Sequence, residues 1–217
     1  MPIQYHHYLI AVTFILSLLY FKVHLKKSVE FLLQLLLFLN FVSEIIANIK
    51  WYIFKSSNIM VYNIVVGYTF VIWLLLLQIM YRGDYRKHIK YATYIFVLFY
   101  LVNICFVQGF QRFNTYSYLL GTLGTVFFTL KLLYNDILGI AKQQLTRFEL
   151  LILYAGLTYF IGFSILFFTN EWNATKFEIF PDFTLYQLVA YSINSFFYGL
   201  IIWAIIAKRN FLLSKSC

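Results

Sequence analysis

Residues 59–80, IMVYNIVVGYTFVIWLLLLQIM, run on without one acidic or basic side chain, and the next ten, YRGDYRKHIK (81–90), carry Arg82, Arg86, Lys87 and Lys90. An uncharged run of this length matches the roughly 20 residues a helix needs to cross the hydrocarbon of a bilayer. It reads as a helix because lipid offers no partner to an open backbone. A basic cluster directly after such a run marks the cytoplasmic side. Working outward, the same pattern predicts spans at 5–21, 29–49, 59–80, 89–109, 115–134, 149–169 and 184–207. The reading is an all-α membrane protein, a seven-transmembrane helix bundle formed by one domain over 1–217.

The charges give this bundle a direction. Lys22, Lys26, Lys27, Arg82, Arg86, Lys87, Lys90, Lys131, Lys142, Arg147, Lys208, Arg209 and Lys215 fall on one side, and only Lys50, Lys55, Arg112 and Lys176 on the other. That bias predicts the N-terminus outside and the C-terminus in the cytoplasm of a cell inner membrane, with multi-pass insertion. Removing one span would break the asymmetry, so count and charge support each other. Trp51, Tyr52, Tyr81 and Trp172 stand where aromatic rings favour the headgroup level.

Composition excludes most soluble functions. The chain is 62% hydrophobic and 12% charged, with mean hydropathy +0.77. The connecting segments are too short for a kinase, nuclease or cyclase domain, so any signal must pass to a separate protein. The net charge of +9 sits at span ends and points to topology, with no nucleic acid as partner. Cys105 and Cys217 imply neither a disulfide framework nor a metal site. The first apolar stretch has no basic n-region and reads as a retained span. The final Ser214-Lys215-Ser216-Cys217 is not a prenylation box.

Polar side chains within spans cost free energy and call for a reason. Glu44 is the most expensive, with Asn40 and Asn48 one turn to either side on the same face. Asn63, Asn103 and Gln108 lie in the outer halves of the third and fourth spans, and Gln187, Tyr191, Asn194 and Tyr198 recur at helical spacing in the last. Glu44, Asn40, Asn48, Asn63, Asn103, Gln187, Tyr191 and Asn194 are therefore the candidate ligand-binding residues of an outward-facing polar cup. The competing reading is interhelical hydrogen bonding, the common use of Asn, Gln and Tyr between spans. Arg82, Arg86 and Lys87 are candidates for docking a cytoplasmic partner, set against their plain role as topology determinants. The pair His6-His7 has no third ligand nearby, and Asn173-Ala174-Thr175 is a glycosylation sequon in the longest outer loop. Gly121, Gly124, Gly156 and Gly162 invite close helix approach.

Several classes lose support from what the spans lack. No Lys occurs in 184–207 to carry a retinal Schiff base, no His-Glu-x-x-His is present, and no Ser-His-Asp set converges. No catalytic residues, cofactor or metal are expected.

Ser43-Glu44-Ile45-Ile46 with Tyr62-Asn63, then Tyr134-Asn135-Asp136, Tyr191-Ser192-Ile193-Asn194 and Ala207-Lys208-Arg209, resembles a poorly characterised family of seven-span proteins of similar length from Bacteroidetes-type bacteria. Members of that family are associated with sensor histidine kinases. The resemblance implies signal transduction, a histidine kinase or other membrane signalling partner, and site roles for Glu44 and Asn194. The leading expectation is therefore a membrane sensor rather than an enzyme. The alternatives are a proton- or cation-coupled transporter using Glu44, a lipid-modifying membrane enzyme, and a structural membrane subunit.

Overall fold

The computed structural model describes residues 5–21, 28–81, 85–140, 144–171, 178–180 and 183–214. They form seven α-helices: α1 (Tyr5–Tyr20), α2 (Val29–Tyr52), α3 (Ile59–Met80), α4 (Tyr85–Val102), α5 (Thr115–Ile137), α6 (Arg147–Glu171) and α7 (Leu185–Ser214). α4 runs on as a π-helical turn over Asn103–Val107, and two short segments, β1 (Glu178–Phe180) and β2 (Phe183–Thr184), pair antiparallel. Six helices, α2 to α7, are long and apolar enough to cross a membrane. This is a multi-pass membrane protein by that measure. α1, with 16 residues, falls short of the length a helix needs to cross unaided. Lys22, His24, Lys26, Lys27, Arg82, Lys142, Trp172, the Asn173–Thr175 sequon, Lys176 and Lys215 lie outside the described residues.

The helix ends follow from capping chemistry. Ser28 accepts the Phe31 N–H at 3.1 Å and starts α2. Thr146 and Glu149 satisfy each other at the start of α6: Glu149 Oε2 accepts from the Thr146 N–H and hydroxyl, both at 2.8 Å, while the Glu149 N–H donates to Thr146 Oγ1 at 3.2 Å. Thr184 and Gln187 repeat this reciprocal capping box at the start of α7, at 2.8 and 3.3 Å. α5 ends where Gly139 takes φ 65°. There the Gly139 N–H reaches the Asp136 carbonyl and the Ile140 N–H the Asn135 carbonyl, so the last carbonyls are not left bare.

The helices group into two compact units, one holding α2 to α5 and the other α1, α6 and α7. In the first, α3 packs against α2, α4 and α5, and α4 packs against α5. Twelve of the 22 residues of α3 are buried against three of 18 in α4, which makes α3 the central helix of its unit. Its Phe70 lies between Phe96 of α4, at 5.5 Å between ring centroids, and Tyr118 of α5, at 5.4 Å. A Cβ on Gly121 of α5 would meet the Phe70 ring at 2.5 Å, so the missing side chain is what lets α5 seat on α3. Gly124, by contrast, faces open space. In the second unit α6 and α7 pair around Leu166, Ala190 and Ile193, with Tyr159 packed on Phe163 and Phe197, and α1 lies on α7. Large apolar side chains such as Leu98, Phe106, Leu123 and Phe127 are exposed, as lipid-facing positions are.

Candidate functional site: a buried amide network on α3, α4 and α5

The polar residues of the α2–α5 unit sort into two hydrogen-bonded groups and one basic end. The larger group lies where α3 begins, α4 ends and α5 begins. Asn63, fully buried on α3, donates from Nδ2 to the carbonyls of Phe110 (3.3 Å) and Arg112 (2.8 Å) and accepts the Asn114 N–H on Oδ1 at 2.8 Å. One side chain thus clamps the whole connection between α4 and α5. Tyr100 donates to the Asn63 carbonyl at 3.1 Å from α4. Gly67 leaves room for that Tyr100 ring, which a Cβ there would meet at 2.7 Å.

Asn103 stands at the start of the π-helical turn and is buried. That turn closes with the Gln108 N–H on the Asn103 carbonyl at 2.8 Å, after which Gly109 takes φ 71° and turns the chain. Asn103 Nδ2 faces three acceptors: Gln108 Oε1 at 2.8 Å, Ser117 Oγ at 3.1 Å, and Asn114 Oδ1. An amide carries two hydrogens, so the three cannot all be served at once. Asn114 is also the cap of α5, accepting the Ser117 N–H at 3.4 Å. Asn103 Oδ1 and Asn114 Nδ2 are both buried without a hydrogen-bond partner among the described residues. Burying such atoms unpaired costs about 1–3 kcal/mol each. The network is over-supplied with acceptors on one side and short of partners on the other.

The second group joins α2 to α3. Tyr68 Oη donates to Asn40 Oδ1 at 2.9 Å and lies 3.2 Å from the Ser43 hydroxyl. Glu44, half-buried next along α2, is close enough to act electrostatically on that phenol. Asn48 Nδ2 turns back onto the Glu44 carbonyl of its own helix at 2.9 Å.

Of the sequence-predicted residues, then, Asn63 and Asn103 meet around Asn114, while Asn40, Glu44 and Asn48 line α2 beside Tyr68. The remaining three lie in the other unit. Gln187 uses Oε1 in the cap of α7. Asn194 Nδ2 donates to the Ala190 carbonyl of its own helix at 3.0 Å. Tyr191 is half-buried one turn before Ser195, whose hydroxyl donates to the Tyr191 carbonyl. Asn114 and Ser117 are members of the network that the sequence reading passed over. Their signal was present: an Asn directly before the apolar run of α5, with a Ser three residues on, is a cap.

The opposite end of the α2–α5 unit is basic and aromatic. Lys131 places Nζ 5.5 Å from the Tyr85 ring centroid and 5.3 Å from that of Tyr134, within the range of a cation–π contact. Arg86 and Lys87 are exposed on the first turn of α4. Tyr81, buried beyond the end of α3, has its phenol pushed up to about 12 by burial, with the Tyr85 phenol adding to it. Among the described residues no group of three His, Cys, Asp or Glu side chains stands close enough to hold a metal ion. No protein-family model, no curated protein and no solved structure matches this chain.

Proposed function

We propose that the protein is a receptor-like sensor of the cell inner membrane, whose stimulus acts on the Asn63–Asn103–Asn114 network and whose output goes to a separate protein, a histidine kinase being the leading class. One observation carries the reading: Asn103 Oδ1 and Asn114 Nδ2 are both buried without partners among the described residues, in a network with more acceptors than hydrogens. A small polar molecule offering one donor and one acceptor would pair both atoms. It would bind most tightly to the arrangement that accommodates it, which is the differential affinity a switch requires. The π-helical turn over Asn103–Val107 would be the element that rearranges, since such turns recur at functional sites. In this reading all seven helices cross the bilayer, the network faces outward, and Arg82, Arg86 and Lys87 face the cytoplasm, where the partner would dock.

The test is thermal unfolding and hydrogen exchange of the purified full chain in detergent, across pH and a panel of small polar solutes. Wild type is compared with Asn114→Ala and Glu44→Gln. A solute that stabilises wild type, slows exchange over 103–117 and loses its effect in Asn114→Ala supports the sensor. Identical responses in all three proteins count against it and favour a structural membrane subunit. A loss confined to Glu44→Gln moves the site to α2.

A further inference from the structure

The ends of α1, α6 and α7 gather cations onto aromatic rings. Arg147, the first residue of α6, stands over the Trp203 indole at 5.4 Å. Lys208 Nζ lies 5.3 Å from the Phe148 ring centroid. Arg209 covers the Tyr20 ring at 4.6 Å and donates from Nη1 to Tyr20 Oη at 3.1 Å. Trp203 and Lys208 are five residues apart on α7, roughly 8 Å along its axis, so the three contacts occupy one end of this unit.

Neither Arg147 nor Arg209 makes an ion pair among the described residues. Glu149, two residues after Arg147, is buried and spends Oε2 on the Thr146 N–H and hydroxyl. Each guanidinium lies over a ring, and apart from the Arg209 Nη1 bond to Tyr20 their N–H donors have no partner among the described residues, which leaves them free to take phosphate oxygens. The positive end of the α6 dipole adds to the field. Trp203 is half exposed, as a ring at the headgroup level is.

We infer that this end of α1, α6 and α7 binds the headgroup phosphate of an anionic phospholipid, with Arg147 and Arg209 donating to its oxygens and Lys208 supplying charge. Helices that cross a bilayer hold their ends at headgroup depth, where the phosphodiester is the abundant anion. The inference depends on the chain spanning a membrane and not on the sensor reading.

The test compares full-length protein in nanodiscs of phosphatidylcholine alone with nanodiscs that also contain phosphatidylglycerol, reading retained lipid by native mass spectrometry. Wild type is expected to retain phosphatidylglycerol over phosphatidylcholine. Arg147→Gln with Arg209→Gln should lower that preference roughly thirty-fold, at about 1 kcal/mol per basic residue removed. Arg147→Lys with Arg209→Lys keeps the charge and loses the fork, so it should lose several-fold of the preference; it also decides the matter if the Gln pair fails to fold. No preference in wild type, or an undiminished preference in both variants, overturns the inference. Glycerol phosphate in solution stabilising the protein as well as the lipid does would also overturn it, by assigning the site to a soluble anion.

Discussion

Adding one methyl group at Gly121 tests how α5 is seated on α3. The new Cβ would lie 2.5 Å from Phe70 Cγ and 2.6 and 2.7 Å from its two Cδ atoms. Carbon atoms in contact prefer about 3.5–4.0 Å, so the ring or the helix must move by roughly 1 Å. The ring has nowhere to go: Phe70 is 1% exposed and held between Phe96 and Tyr118. Overpacking of this kind costs about 1–3 kcal/mol, offset by up to about 1 kcal/mol because Ala favours a helix more than Gly does. Gly121→Ala should therefore lose about 1–2 kcal/mol net, or roughly 2–8 °C in unfolding midpoint for a chain of this size. The assay is thermal unfolding in detergent at a fixed scan rate, read by intrinsic fluorescence. Gly124→Ala is the internal control, since nothing lies within 4 Å of its Cβ position; it should be neutral or slightly stabilising. Shrinking the obstacle with Phe70→Leu should make the double variant less unstable than the sum of the two single effects. If Gly121→Ala and Gly124→Ala behave alike, the account of this interface is wrong.

Other perturbations have equally definite outcomes. Asn63→Ala removes two donors to loop carbonyls and the acceptor of the Asn114 N–H; it should cost about 2–3 kcal/mol and speed amide exchange at 108–114, whereas unchanged exchange would mean the loop holds itself. Thr146→Ala opens the cap of α6 and should cost about 1 kcal/mol, and Thr184→Ala should do the same for α7; in each case the lowered midpoint would come with faster exchange confined to the first turn. Tyr81 predicts an alkaline weakness. Its phenol is raised from 10 to about 12 in the folded chain, so its contribution is fully present below pH 10 and is lost as pH rises through 12, on the order of 2 kcal/mol in all. Tyr81→Phe should flatten that part of the pH–stability curve, and an unchanged slope would assign the loss to other groups.

The sequence carried the helices because each apolar run is bounded by charge or by a capping residue. The reading of 29–49, 59–80 and 115–134 differs from α2, α3 and α5 by three residues or fewer at either end. Partners were harder. Gly121 signalled a close approach, yet only the packed helices show that it receives Phe70 while Gly124 receives nothing. Gln187 looked like a buried polar residue of the last span; the Thr184-x-x-Gln187 spacing was also a legible capping box, and the local chemistry took it. Asn63 and Asn103 are 40 positions apart and Asn114 sits in a connection, so periodicity has no means of joining them. The π-helical turn is likewise silent in the sequence, because it adds one residue to a helix without changing its composition. The partition into two units follows from which faces fit each other, which hydropathy does not encode.

The unit made of α1, α6 and α7 draws its helices from opposite ends of the chain, and Arg209 and Tyr20 are 189 positions apart. That separation sets a timetable during synthesis. At about 5–20 residues per second, α1 emerges roughly 10–40 s before the part of α7 it packs against, while α2 to α5 are complete before α6 has been made. Through that interval α1 must wait without its partner. Its two most buried hydroxyls suit it to waiting: Thr13 donates to the Leu9 carbonyl at 2.6 Å and Ser17 to the Phe14 carbonyl at 2.7 Å, so neither depends on another helix. A chain ending at residue 145 would therefore hold every helix of one unit and, from the other, a single helix whose partner α7 is missing.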